Sequence, residues 1–503
     1  MGCVVDYGEV QGLVRYGHAR MTEACYFLVK IRSAFAARAW LARAPIMSAV
    51  ELGHPPQTAL QIAFTCPGLD ALEVPRKVIL GFSLEFRSGM AADQNRSTRL
   101  GDVDANSPSY WKWGTGARLP HAVVMLFAEP GLLSQWTQTV TGDLWKAAFE
   151  EIDCLPTSDL GGREPFGFVD GISQPEIDWD QLRKVTVNCY ERTFSNIVSL
   201  GEFVLGYANE YGRYTDRPLL DTRDRGSSEL PPACDDPGRR DFGRNGTYLV
   251  VRQLEQDVRG FWQFLDRAVK SDAQERRMLA GLMVGRALED GSPLAPLSPE
   301  LIAGIGQQSN DRELNRFTYD LDSAGIHCPF GAHIRRANPR NADIQGAPRG
   351  LLATLLRTLG FGDKNIRYDL VASTRFHRIL RRGREYGPKL TPDEALAPPQ
   401  QNEPNRGLQF VAINANIQRQ FEFVQNAWLM RTKFDGLTEE SDPLLGNRTP
   451  IAGCPLTNTF SIPQRGTVRR RITGVPRFVT VQGGSYFFMP GLSALRYLTK
   501  IGS

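Results

Sequence analysis

The chain has 503 residues, a formal charge of +4, and 42% hydrophobic, 23% charged and 10% aromatic residues. That composition excludes a disordered or fibrous protein and leaves room for two or three cores. No basic stripe interleaved with aromatics marks a nucleic-acid surface, and no apolar run reaches the roughly 18 to 20 residues needed to cross a bilayer.

The first predicted unit is a strand over "ACYFLVKIR" (24–32) followed by a helix over "SAFAARAWLARA" (33–44), rich in alanine, leucine and arginine. Strands follow over 58–66 and 121–130, the latter leading into a helix through "LLSQWTQTV". After an aperiodic stretch rich in Gly, Pro, Asp and Arg (209–245), expected to form a long surface connection, the design repeats. A strand from Tyr248 to Leu254 precedes a helix with Val258, Phe261, Trp262, Leu265 and Val269 at helical spacing. A strand over 407–417 then leads into a helix over 418–430, and a last strand over 477–491 runs into a closing helix, "LSALRYL". Strands and helices alternating twice over predict two α+β modules.

Eight cysteines lie scattered without a Cys-x-x-Cys pair, and Asp6, Glu9, Arg15, His18, Arg20 and Glu23 interrupt the first residues where a signal segment would lie. A reduced, cytoplasmic chain is expected. The metalloprotease, serine-hydrolase, phosphate-loop and dinucleotide patterns are absent, so chemistry has to rest on a few histidines and acids.

Three segments carry it. "REPFGFVDGISQPEIDW" (163–179) sets Asp170 among Phe166, Phe168, Val169 and Ile172. Gly167 and Gly171 would let the backbone approach something closely, and burial would raise the carboxyl pKa, making it a proton-transfer group. The same acid could equally cap a turn. "GIHCPFGAHIRRANPR" (325–340) places His333 on a short helical turn that Asn338-Pro339 would stop, with Arg335, Arg336 and Arg340 following. An imidazole there could bind iron and the arginines could meet carboxylates of the same ligand, or His333 could be a core residue beside a solvated basic face. "FHRILRRGREYG" (376–387) clusters arginines around Ile379-Leu380, with Arg378 and Arg382 on one face if it is helical. Arg381, directly after the apolar pair, is the one expected to point inward.

Taken in this order, these segments resemble the dye-decolorising peroxidases, a haem family. "GFVDGISQP" matches its Gly-x-x-Asp-Gly signature, "CPFGAHIRRANPR" its proximal histidine segment and "HRILRRG" its distal arginine segment. The resemblance implies an α+β fold of two ferredoxin-like modules, of the dimeric α+β barrel type, over 6–208 and 246–503 with 209–245 between them. It implies one haem b per chain in the C-terminal module. His333 would be the axial iron ligand, Asp170 the distal acid-base residue and Arg381 the distal arginine. Arg340 would meet a haem propionate, Gly171, Ile172, Ser173, Leu408 and Phe410 would line the haem, and Asp442 in "SDPLLG" would hydrogen-bond the ligand histidine.

The activity implied is reduction of hydrogen peroxide to water with one-electron oxidation of organic donors such as dyes or phenolics. A haem carrier or sensor, or a haem enzyme with a dedicated biosynthetic substrate, is the alternative. No nucleic-acid or membrane partner is expected, and a homo-oligomer is left open. The chain departs from compact family members by a longer run between His333 and Arg381, including "LLATLLRTLGFGDKN" (351–365).

Overall fold

The structure, a computed structural model, describes residues 4–182, 196–298, 314–341 and 373–501. The 351–365 insertion therefore lies outside the described residues.

The predicted strand–helix units are present, with the helix predicted over 418–430 formed as two π-helical stretches, Gln418–Glu422 and Val424–Met430. Strand β1 (Glu23–Ile31) leads into α1 (Ala34–Leu41), whose start is capped by the Ser33 side chain accepting from the Ala36 N–H. Strands β2 (Thr58–Phe64) and β3 (Ala122–Ala128) follow, then α2 (Leu133–Val140), α3 (Asp143–Ala148) and β4 (Phe149–Pro156). In the second half β5 (Thr247–Gln256) enters α4 (Val258–Ala268), where Asp257 caps the Gly260 N–H and Phe261, Trp262 and Leu265 face the core. Helix α5 (Ala273–Val284) and the five-residue α6 (His333–Ala337) come next. Strands β6 (Leu380–Arg381), β7 (Arg384–Tyr386) and β8 (Gly407–Asn414) follow, and the chain closes with β9 (Val479–Met489) and α7 (Leu492–Lys500).

These strands form one nine-stranded antiparallel sheet in the order β6-β8-β5-β9-β2-β3-β1-β4, with β7 also pairing with β8. Strands of the first half meet those of the second where Phe64 pairs with Phe488. Both faces are covered, which is why β3 is buried along its whole length and reads as an unbroken apolar run. The architecture is α+β. Strand alternation puts Arg252, Leu254 and Gln256 of β5 and Leu408 and Phe410 of β8 on one face, where they line a cavity.

The helical form left open for 376–387 is not taken up: Leu380 and Arg381 pair with Ile413 and Ala412 and so join the sheet edge. The 209–245 stretch is not merely a solvated connection: within it Arg217 is buried against Asp241 at 2.6 Å and also pairs with Asp235, and Phe242 packs on Phe82 and on Phe488 of β9. Cys234 is disulfide-bonded, where a wholly reduced set was expected.

Candidate active site

The cavity is bounded by α6 on one side, by β5, β8 and β9 on another, and by the loop that carries Asp170.

Helix α6 is short for the reason its sequence indicates: Asn338 leaves helical geometry before Pro339. Its first residue, His333, sets Nδ1 2.9 Å from Oδ2 of the fully buried Asp442. The other Asp442 oxygen accepts from the Leu444 and Leu445 N–H groups at 2.9 and 2.8 Å, so the carboxylate is fixed. Burial alone would lower the His333 pKa, but the Asp442 carboxylate outweighs it and the net shift is upward. Burial likewise opposes ionisation of Asp442, yet His333 and the backbone donors hold its pKa below the ordinary value. With Nδ1 committed to Asp442, Nε2 is the ring nitrogen left for the cavity.

The next two arginines do not form a solvated face, as one reading of the sequence had it. Both are fully buried. Arg335 donates to the Cys328 carbonyl at 2.8 Å and to Asp322, while Arg336 donates to the Trp428, Arg431 and Glu440 carbonyls at 2.7, 3.0 and 2.6 Å. They anchor α6 to the segments behind it.

On the loop side, Arg381 Nη1 donates to Asp170 Oδ1 at 2.8 Å, and the Gly171 N–H donates to the same oxygen at 2.7 Å. Each side chain is about 30% exposed, and because Asp170 lies deep in the protein that surface is cavity wall. Sequence reasoning expected burial to raise the Asp170 pKa. Desolvation does push it upward, but Arg381, the Gly171 N–H and His333 outweigh it and the net shift is downward. The partner responsible is 211 positions away in sequence. Between the two candidate arginines the register is plain: the Arg381 backbone N–H donates to Gln174 and its side chain lines the cavity. Arg382 instead turns away to the Leu13 and Val14 carbonyls.

Gly167 and Gly171 do not line the cavity; their φ values of +104° and +89° show turns that only glycine adopts without strain. Ile172, Ser173, Arg340, Leu408 and Phe410 do line it. Arg340 is fully buried and donates to the Asn315 and Phe317 carbonyls, each at 2.8 Å, and burial pushes its pKa down to about 9. Among the lining residues given no role in the sequence are Glu164, Arg286, His377 and Trp428. Glu164 had a signal, an acid in the same apolar turn as Asp170; Arg286, which donates to Ser173 Oγ at 2.8 Å, had none. Chemically, the cavity offers an oriented imidazole, an ionised carboxylate held by a guanidinium, and apolar walls.

No protein-family model matches the chain. It is 29% identical over 520 residues to a dye-decolorizing peroxidase of Auricularia auricula-judae, covering 97% of this chain and 86% of that protein. It is 28% identical over 466 residues to a dye-decolorizing peroxidase of Mycetinis scorodonius, covering 89% and 77% respectively. Among solved structures, a fungal DyP-type peroxidase from Auricularia auricula-judae superposes with a TM-score of 0.71 at 26% identity, covering 99% of this chain and all of the other. In sequence over most of its length and in fold over nearly all of it, the chain is a homologue of the dye-decolorising peroxidases.

Proposed function

We infer that the protein is a haem-dependent peroxidase that reduces hydrogen peroxide and oxidises organic donors in one-electron steps. The observation that carries the reading is the Asp170–Arg381 pair in the same cavity as the Asp442-bound His333. A carrier or sensor needs the imidazole alone, so the pair favours turnover.

The residues fit a haem. Among the described residues no group of three or more His, Cys, Asp or Glu could hold a bare metal ion, and the lone His333 suits an iron carried by a porphyrin. Ile172, Ile334, Leu408, Phe410 and Leu444 supply apolar walls for a flat macrocycle, and Arg340 supplies a buried cation suited to a propionate. When bound, haem supplies the redox chemistry of the O–O bond.

The protein's own part is proton movement and charge stabilisation. His333 would hold the iron through Nε2, with Asp442 fixing the tautomer and making the ring a stronger donor. Asp170, ionised because Arg381 and the Gly171 N–H stabilise its charge, would take the proton from one peroxide oxygen and deliver it to the other, which departs as water. Arg381 holds positive charge where negative charge develops, without reorganising. Leu408 and Phe410 keep that space dry.

The test is haemin titration into the apoprotein followed by peroxide-dependent dye oxidation. One haem per chain and turnover that requires both peroxide and dye are expected, and His333→Ala should lose tight binding. A His333→Ala protein with a native haem spectrum would reassign the ligand.

A further inference from the structure

The cavity holds an acid that the scheme above leaves unused. Glu164 lies six positions before Asp170 in the same turn, and its carboxyl group closes that turn from inside. Oε2 accepts from the Phe166 N–H and Oε1 from the Phe168 N–H, both at 3.0 Å. Its own backbone N–H donates to the Phe168 carbonyl at 2.9 Å, and Gln256 Nε2 on β5 donates to Oε2 at 2.8 Å. The loop carrying Asp170 is thus clipped to the sheet through one carboxyl group.

No cation pairs with that carboxyl among the described residues. The charged groups around the cavity are otherwise engaged. Arg163, beside it in sequence, turns to the Gly167, Leu288 and Glu289 carbonyls. Arg252 on β5 pairs with Asp102, Arg381 on β6 with Asp170, and His333 on α6 with Asp442. Arg286, after α5, donates to Gly291 and Ser173. Desolvation, helped by the nearby charge of Asp170 and only partly offset by the three N–H donors, pushes Glu164 up to about 7. A proton on it also has a local acceptor. The Gln256 Oε1 atom is buried without a hydrogen-bond partner, and turning the amide over would present that oxygen to a Glu164 O–H.

We propose that Glu164 positions the loop that carries Asp170 and holds a proton inside the cavity, with Gln256 turning to accept it; on losing that proton it adds a negative charge beside the peroxide site. This rests on the peroxidase reading. The ionised form disfavours the negative charge that develops as the O–O bond breaks, so peroxide reduction slows as pH rises through neutrality. One added charge within a low-dielectric cavity corresponds to about a tenfold change.

Two measurements test it. Infrared difference titration of the apoprotein should lose a protonated-carboxyl band as pH passes about 7, the band being absent in Glu164→Gln. Loss of that band near the ordinary glutamate value would overturn the proposal. In stopped-flow with haem-loaded protein, the wild-type peroxide rate should fall about tenfold across neutral pH, and the Glu164→Gln rate should run level there, whatever its absolute value. A Glu164→Gln profile that keeps the inflection would assign it to another group and overturn the proposal. Should Glu164→Gln fail to fold, Gln256→Leu removes the charge-assisted donor to the ionised form, a stronger bond than the one Gln256 accepts from the neutral form, and must move both titrations to higher pH; unmoved titrations refute the pairing. Wild-type protein that binds haem but does not reduce peroxide would sink the peroxidase reading, a result distinct from turnover without a neutral inflection.

Discussion

Replacing Asp442 with asparagine preserves shape while reversing the polarity of one hydrogen bond. In the native protein one carboxylate oxygen accepts from the Leu444 and Leu445 N–H groups and the other accepts from His333 Nδ1–H. Asparagine has one oxygen and one NH2, so it cannot serve both sides. If the NH2 faces the backbone, two buried N–H groups go unsatisfied, at about 1–3 kcal/mol each. If the NH2 faces His333, the ring must accept at Nδ1 and its proton moves to Nε2, the atom required for iron. The second arrangement wins by about 2 kcal/mol at the least. Haem binding must then restore the first at that cost, which corresponds to a roughly 30-fold loss of affinity. Haemin titration of the folded Asp442→Asn apoprotein reads this directly, and the ferric spectrum should show weakened axial ligation. Unchanged affinity and spectrum would refute both the tautomer argument and the role given to Asp442.

Arg381→Leu removes the main cation opposing desolvation of Asp170, so the carboxyl pKa should rise from its depressed value. The peroxide rate should fall roughly 100- to 1000-fold in stopped-flow, the usual cost of losing one preorganised donor to developing charge; a loss under tenfold would contradict it. Because the native Asp170 pKa is depressed, the folded carboxyl stays ionised through the ordinary carboxylate range, while the stability it brings is full above that range and is lost as pH falls from it through the depressed native value. The acid limb of the wild-type rate should therefore lie below that range, and in Asp170→Asn the limb should vanish along with most of the rate. Haem affinity should weaken on acidification earlier than an unperturbed histidine would imply. The His333 pKa is raised, so imidazolium, which has no free Nε2 lone pair, persists to higher pH; spectrophotometric haem-release titration checks the midpoint. Arg336→Met strips three buried carbonyls of their donor and should destabilise the fold by about 3 kcal/mol in denaturant unfolding.

The strands were legible because both sheet faces are buried, which writes long β-rich apolar runs into β1, β3 and β9. His333, Asp170 and Arg381 were legible as motif positions, and the structure brings all three to one cavity with Asp442 behind the histidine. What sequence could not reveal was through-space pairing. The direction of the Asp170 shift depends on a guanidinium from a distant strand, and the sequence left that segment's form open because four arginines at short spacing suit helix or strand. Burial of Arg335 and Arg336 depends on carbonyls that α6 meets only after folding. Glu164 shows the same limit in reverse: its neighbours in sequence were visible, but that no cation pairs with it among the described residues was not.

Rapid mixing of the haem-loaded protein with hydrogen peroxide, followed at the Soret band, tests the central claim most directly. The account predicts a fast spectral change that an organic donor dye reverses to the resting spectrum. A Soret band left unchanged by peroxide would contradict it.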